Sequence, residues 1–163
     1  MDDISIQILK ILQEKARVPN IEVARQVGMA PSGVLERVRK LEQQGIIDGY
    51  EVRLNPARCD RGLVAFIFVR PQPNSDPCGL GKALAAIADV QEVHFIAGED
   101  GLMVKVRAAD PAHLERVRRE KIAVLPQVRS TRTLIALRTY KESARIPLDD
   151  AAIQKLKQKK RRT

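Results

Sequence analysis

Apolar residues recur at helical spacing through the first third of the chain. Ile4, Ile8, Ile11 and Leu12 fall at i, i+4, i+7 and i+8, which predicts one buried face of a helix over residues 3–15. Asp2 and Asp3 suit its N-cap and first turn. Asn20 can cap a second helix carrying Ile21, Ala24 and Val27, and Gly28 follows where a left-handed C-terminus needs a glycine. Met29, Ala30 and Pro31 then read as a three-residue linker. A third helix is predicted from about Ser32 to Gln44, with Val34, Val38 and Leu41 inward and Gly45 as its stop. The string IIDGYEVRL reads as an extended segment with a turn at Asp48-Gly49.

Beyond a polar break from Leu54 to Gly62 the period changes to two. LVAFIFVR (63–70) predicts a strand with Val64, Phe66 and Phe68 on one face and Leu63, Ala65, Ile67 and Val69 on the other. Both faces are apolar, so one should pack on helices of the same chain and the other on a partner subunit. Asp76-Pro77 opens a helix with Leu80, Leu84, Ile87 and Ala88 on one stripe. Residues 90–97 and 102–108 read as strands flanking Gly98-Glu99-Asp100-Gly101, a hairpin signal. Asp110-Pro111 starts a helix carrying Leu114, Val117 and Ile122, and residues 128–140 return as a strand. The order β-α-β-β-α-β is that of a ferredoxin-like sandwich with one sheet face bare.

The fold class is therefore α+β: an N-terminal helix-turn-helix (winged-helix-like) domain and a C-terminal ferredoxin-like βαββαβ domain. The expected divisions are 1–50, a linker strand at 51–62, the sandwich at 63–142 and a basic tail at 143–163. Two short helices joined by a tight glycine turn can push the second into a major groove. Its outward face offers Ser32, Glu36, Arg37, Arg39 and Lys40, with Gly33 allowing close backbone approach. Arginine can read guanine edges bidentately, glutamate can accept from cytosine N4, and Ser32 at the helix start can hold a phosphate. Arg37, next to Val38, can alternatively brace the domain. Periodicity alone fits a plain three-helix bundle with a solvated face equally well.

Charge changes this picture only in its location. The chain has 163 residues and a formal net charge of +9, a balance that favours polyanion partners. Residues 1–50 carry as many acids as bases, whereas residues 151–163 hold six bases and no acid: Lys155, Lys157, Lys159, Lys160, Arg161 and Arg162. As free chain this tail would reach roughly 40 Å and add nonspecific phosphate contacts. Aromatics make up 3%, too few for a module that stacks bases on exposed rings. Cys59 and Cys78 read as reduced thiols of a cytoplasmic protein without a secretory signal. No apolar run suits a membrane span. The two histidines, His94 and His113, lack metal-ligand spacing. His113 is expected to be exposed.

The first third resembles the feast/famine, or Lrp/AsnC, family of transcription regulators. The resemblance rests on Asp2, Ile8-Leu9, Ala16-Arg17, Val27-Gly28 and above all the string RVRKLEQQGIIDGY (37–50). It continues through Ile96, Gly98, Leu102 to Val106, Val128 to Thr133 and Ile146-Pro147-Leu148. Two departures are visible: Ser5 where the family usually has an acid, and Ala30 where it usually has a capping Ser. The resemblance implies binding to double-stranded DNA as a homodimer, with larger assemblies of dimers, and modulation by a small effector such as an amino acid. It implies effector contacts around Gly98, Glu99, Asp100 and Gly101. The family there commonly reads Thr-Gly-x-x-Asp, whereas this chain has Ala97 and Gly101 at the first and last positions. Glu99-Asp100 is then either a solvated turn or a replacement for the lost acid. No cofactor is expected and the chain reads as a non-enzyme. Sirohaem decarboxylases resemble the same family, but their chemistry asks for paired His, Arg or Tyr groups around a tetrapyrrole. A nucleoid-like architectural protein, using tail and assembly more than base contacts, is the other alternative.

Overall fold

The computed structural model describes residues 1–98 and 101–159. Glu99, Asp100, Lys160, Arg161 and Arg162 lie outside the described residues, and of Lys157 and Lys159 only the backbone is described. In chain order the elements are α1 (Asp3–Glu14), α2 (Asn20–Val27), α3 (Pro31–Gln43), β1 (Leu63–Pro71), α4 (Pro77–Ala85), β2 (Val90–Ile96), β3 (Gly101–Ala108), α5 (Pro111–Arg116), β4 (Val128–Ile135) and α6 (Asp150–Lys159). They form two compact units. One holds residues 1–53 and the chain from Glu142 onward; the other is Leu54–Lys141.

In the first unit, Ile8, Val23, Ala24, Val34 and Val38 make the core, with Ile4, Ile11, Leu12 and Val27 packed against it. The Asp2 carboxylate caps α1 by accepting from the Ser5 N–H at 2.9 Å. Helix boundaries in this unit differ from expectation by single residues. Pro19, not Asn20, is the N-cap of α2. Pro31 is the first residue of α3 rather than linker, because its fixed φ suits that position and its missing N–H leaves no bond unmade. Gly45 does end α3, at φ 61°. The expected linker strand over 51–62 is not formed. Residues 51–55 are coil without a ladder partner, and the Asn55 side chain accepts from the Ala57 and Arg58 N–H groups to hold a turn.

In the second unit, the sheet order is β2-β3-β1-β4, antiparallel throughout. Ala65, Ile67 and Val69 of β1 face α4 and α5 and are fully buried with Leu80, Leu84 and Val104. Asp76 caps α4 through the Cys78 and Gly79 N–H groups, at 2.9 and 2.8 Å. β4 stops at Ile135 rather than 140. Ala136 makes the last bond, to the Val64 carbonyl, and β1 begins one residue earlier, so no partner backbone remains. After α5 the chain widens into a π-helical stretch, Val117–Ile122. That geometry brings residues five apart onto one side, which is why Val117 and Ile122 are both buried.

The same stretch delivers Lys121 to Asp89, at 2.6 Å. His113 is half-buried rather than exposed, with its Nδ1 accepting from the Ala109 N–H and its Nε2 3.2 Å from Asp89 Oδ1. Partial burial raises the Asp89 pKa, but Lys121, His113 and Arg61 outweigh it and hold the carboxyl below the usual range. This cluster ties the turn before β2 to the helical segment that follows β3.

Candidate nucleic-acid interface

The turn between α2 and α3 is short because Gly28 takes the left-handed conformation, φ 68°, and donates to the Ala24 carbonyl. Met29 donates to the same carbonyl at 3.0 Å, and α3 begins two residues later. Ala30 supplies no side-chain cap, and Ser32, one residue inside the helix, does not replace it. A Cβ on Gly33 would lie 3.0 Å from the Met29 side-chain terminus, so a larger residue there would press on the turn.

Val34, Val38 and Leu41 point inward, as their spacing requires. Ser32, Glu36, Arg39 and Lys40 all lie on the exposed face, at i, i+4, i+7 and i+8. They form one stripe of donors and acceptors. Leu35 joins that surface at 38% exposure as an apolar contributor, a residue type that polar patterning does not mark.

Arg37 departs from the stripe. Its guanidinium Nη1 donates to the Asp2 carboxylate and to Ser5 Oγ, the latter at 3.1 Å. Both acceptors belong to the start of α1, so one arginine fastens α3 to the capped end of α1. Partial burial raises the Asp2 pKa, but hydrogen bonds from Arg37 and Ser5 hold the carboxyl well below the ordinary range. Ser5 is buried, and its hydroxyl serves Arg37 while Asp2 carries the charge. The brace was legible only as an alternative, because Asp2 and Arg37 are 35 positions apart.

Two neighbouring groups frame the motif. Glu22 accepts from Arg25 at 2.7 and 3.0 Å and from Gln26 at 2.8 Å, which holds its carboxyl down at about 2. Tyr50 donates to Glu42 at 2.8 Å; burial and that carboxylate raise the phenol to about 12.

In the second unit, Gly98 adopts φ 96° at the end of β2, as a tight hairpin needs. Gly101 has another role. A Cβ there would meet Phe68 Cζ at 2.6 Å and the Val69 carbonyl at 2.8 Å. The ring on the uncovered sheet face thus occupies the place of any side chain at 101. Arg70 and Arg132 flank that ring, each 5.8 Å from its centre.

Residues 1–48 match the profile described as winged helix-turn-helix DNA-binding, and residues 64–146 match the Lrp/AsnC ligand binding domain. The chain belongs to the Lrp/AsnC family. It is a helix-turn-helix transcription regulator of that family, with an effector-binding type of C-terminal domain. The leucine-responsive regulatory protein of Haemophilus influenzae is 34% identical over 146 residues, 88% of this chain and 87% of the relative. A transcriptional regulator of Neisseria meningitidis, solved in complex with L-methionine, superposes with a TM-score of 0.87 at 25% identity, covering 93% of this chain and 99% of the other. A feast or famine regulatory protein of Mycobacterium tuberculosis, complexed with L-methionine, gives 0.81 at 32% identity, covering 89% and 97%. Among the described residues no helix is long and apolar enough to cross a membrane, and no cluster of three or more His, Cys, Asp or Glu could hold a metal.

Proposed function

We propose that the exposed stripe of α3 enters the major groove of double-stranded DNA. Arg39 and Glu36 meet base edges there, while Ser32 and Lys40 meet phosphates. The observation that carries this reading is the stripe itself, four polar groups aligned on a helix that a glycine turn sets against α2. Arg37 is a positioning residue, holding α3 on α1. Arg39→Ala is expected to lower the ratio of operator to random-DNA affinity about tenfold at fixed salt, the scale of one bidentate base contact. An unchanged ratio in competition binding would remove α3 from the groove.

Self-association follows from the uncovered sheet face, where Phe66 and Leu134 remain 37% and 49% exposed beside Phe68. A second copy placed there makes a homodimer and sets two α3 helices on half-sites about one helical turn apart. Dimers in turn build larger assemblies.

The effector is a small molecule of the amino-acid class, held near the 98–101 hairpin. The Phe68 ring and the Val69 carbonyl crowd any side chain at 101, so Glu99 or Asp100 supplies the carboxylate for the amine. A thermal-shift screen over the amino acids should raise the melting temperature for a subset, and Glu99→Gln with Asp100→Asn should abolish the shift. No response to any amino acid would reduce the hairpin to a solvated turn.

A further inference from the structure

α1 carries a second stripe besides the one that faces α2 and α3. Asp2, Ile6, Leu9 and Gln13 recur at i, i+4, i+7 and i+11. Ile6 and Leu9 are only 4% and 7% exposed, yet neither belongs to the three-helix core cluster. Both ends of this stripe are bonded to the chain that returns after Glu142. Gln13 brackets Ile146, its Nε2 donating to the carbonyl at 3.2 Å and its Oε1 accepting from the N–H at 2.8 Å. Arg145 donates to the Glu14 carbonyl at 3.4 Å. At the opposite end the Met1 amine donates to the Leu156 carbonyl, also at 3.4 Å. The returning chain therefore runs antiparallel to α1.

Past Ile146 it forms α6. Asp149 caps the helix, accepting from the Ala152 N–H at 2.8 Å. Ala152, Ile153 and Leu156 are half-buried, and Lys155 is exposed. The expected free arm is thus helical through Lys159. Helix formation that short needs tertiary support in water, and Ile6 with Leu9 offers an apolar surface of matching position. The end of α1 that meets Leu156 is also the end that Arg37 fastens to α3. Leu156, within that acid-free segment, therefore lies at the end of α1 that Arg37 ties to α3.

We infer that α6 is a docked fourth helix of the DNA-binding unit, which holds its own lysines, Lys155, Lys157 and Lys159, against the phosphates bordering the groove occupied by α3. The inference rests on the groove reading of α3 and on phosphate contact by the tail. Docking replaces a freely moving set of charges by one held at high effective concentration next to the groove.

Three measurements on the full-length protein separate these parts. Lys155→Gln with Lys157→Gln and Lys159→Gln should flatten the log–log salt dependence of DNA binding by about 0.9 per lost contact, leaving the operator-to-random ratio unchanged. Ile153→Ser with Leu156→Ser keeps every charge but should weaken DNA binding on the order of fivefold at 0.15 M salt. Amides of 152–158 should be protected from exchange in the DNA-free protein and lose protection in that double variant. Asp149→Ala, a gentler change, should move exchange and affinity the same way by less. Coil-like exchange in the wild type, or a double variant that binds as the wild type does, would restore the free arm and overturn docking. An unaltered salt slope in the triple variant would remove the phosphate contact while leaving docking measured independently. Failure of the groove reading shows only in Arg39→Ala.

Discussion

Gly101→Ala destabilises the protein by about 3 kcal/mol, the upper range for overpacking a buried position. The added methyl meets a ring atom of Phe68 at 2.6 Å and the carbonyl oxygen of Val69 at 2.8 Å. The ring can turn, but the carbonyl belongs to β1 in the middle of the sheet and cannot move without disturbing its ladder. The melting temperature should fall by roughly 10 °C for a chain of this size. Phe68→Leu in the same chain should restore only part of that loss, since it relieves the ring contacts and leaves the carbonyl contact. Full rescue would mean the ring alone excludes a side chain; no loss in Gly101→Ala would mean that the hairpin accommodates one. Gly101→Asp, with a larger side chain, should be at least as destabilising while Phe68 is present.

Arg37→Ala weakens binding to operator and random DNA alike and lowers the stability of the first unit. Hydrogen bonds to a charged group contribute about 1.5–3 kcal/mol when shielded. The Arg37 and Asp2 side chains are 30% and 47% exposed, so solvent screening reduces the expected loss to about 1–2 kcal/mol. The pH dependence has a definite sign. Asp2 has a depressed pKa in the folded state, so its contribution is present above the ordinary carboxylate pKa near 4 and is lost as pH falls below it. The stability gap between wild type and Arg37→Ala, followed by thermal melting, should therefore begin to narrow as pH falls below about 4. A fall in the operator-to-random ratio like that expected for Arg39→Ala would instead make Arg37 a base-reading residue. A gap independent of pH would remove Asp2 from the brace.

Much of the architecture was legible along the chain because it depends on neighbours close in sequence. A helical period placed Val34, Val38 and Leu41 inward on α3, and the same spacing placed Ser32, Glu36, Arg39 and Lys40 outward, together with Arg37, which instead turns to Asp2. Alternation sorted β1 into Ala65, Ile67 and Val69 under the helices and Phe66 and Phe68 on the other face. The errors lay where an element depends on a distant partner. The linker strand expected over 51–62 found no ladder partner, and β4 ended early because β1 had already begun. Ile122 fitted no α-helical stripe with Val117 until a π-helical stretch changed the period.

Sequence by itself determined the two-part plan, the glycine turn between α2 and α3, and the exposed stripe, since local periodicity and capping chemistry specify each. Only the tertiary structure decided that Arg37 turns to Asp2, that Phe68 fills the space at Gly101, and that the basic tail returns to α1 as a helix. Each of those joins residues far apart in the chain. A charge, a glycine or an apolar pair reveals its use only when folding brings the other half of the contact within a few ångströms.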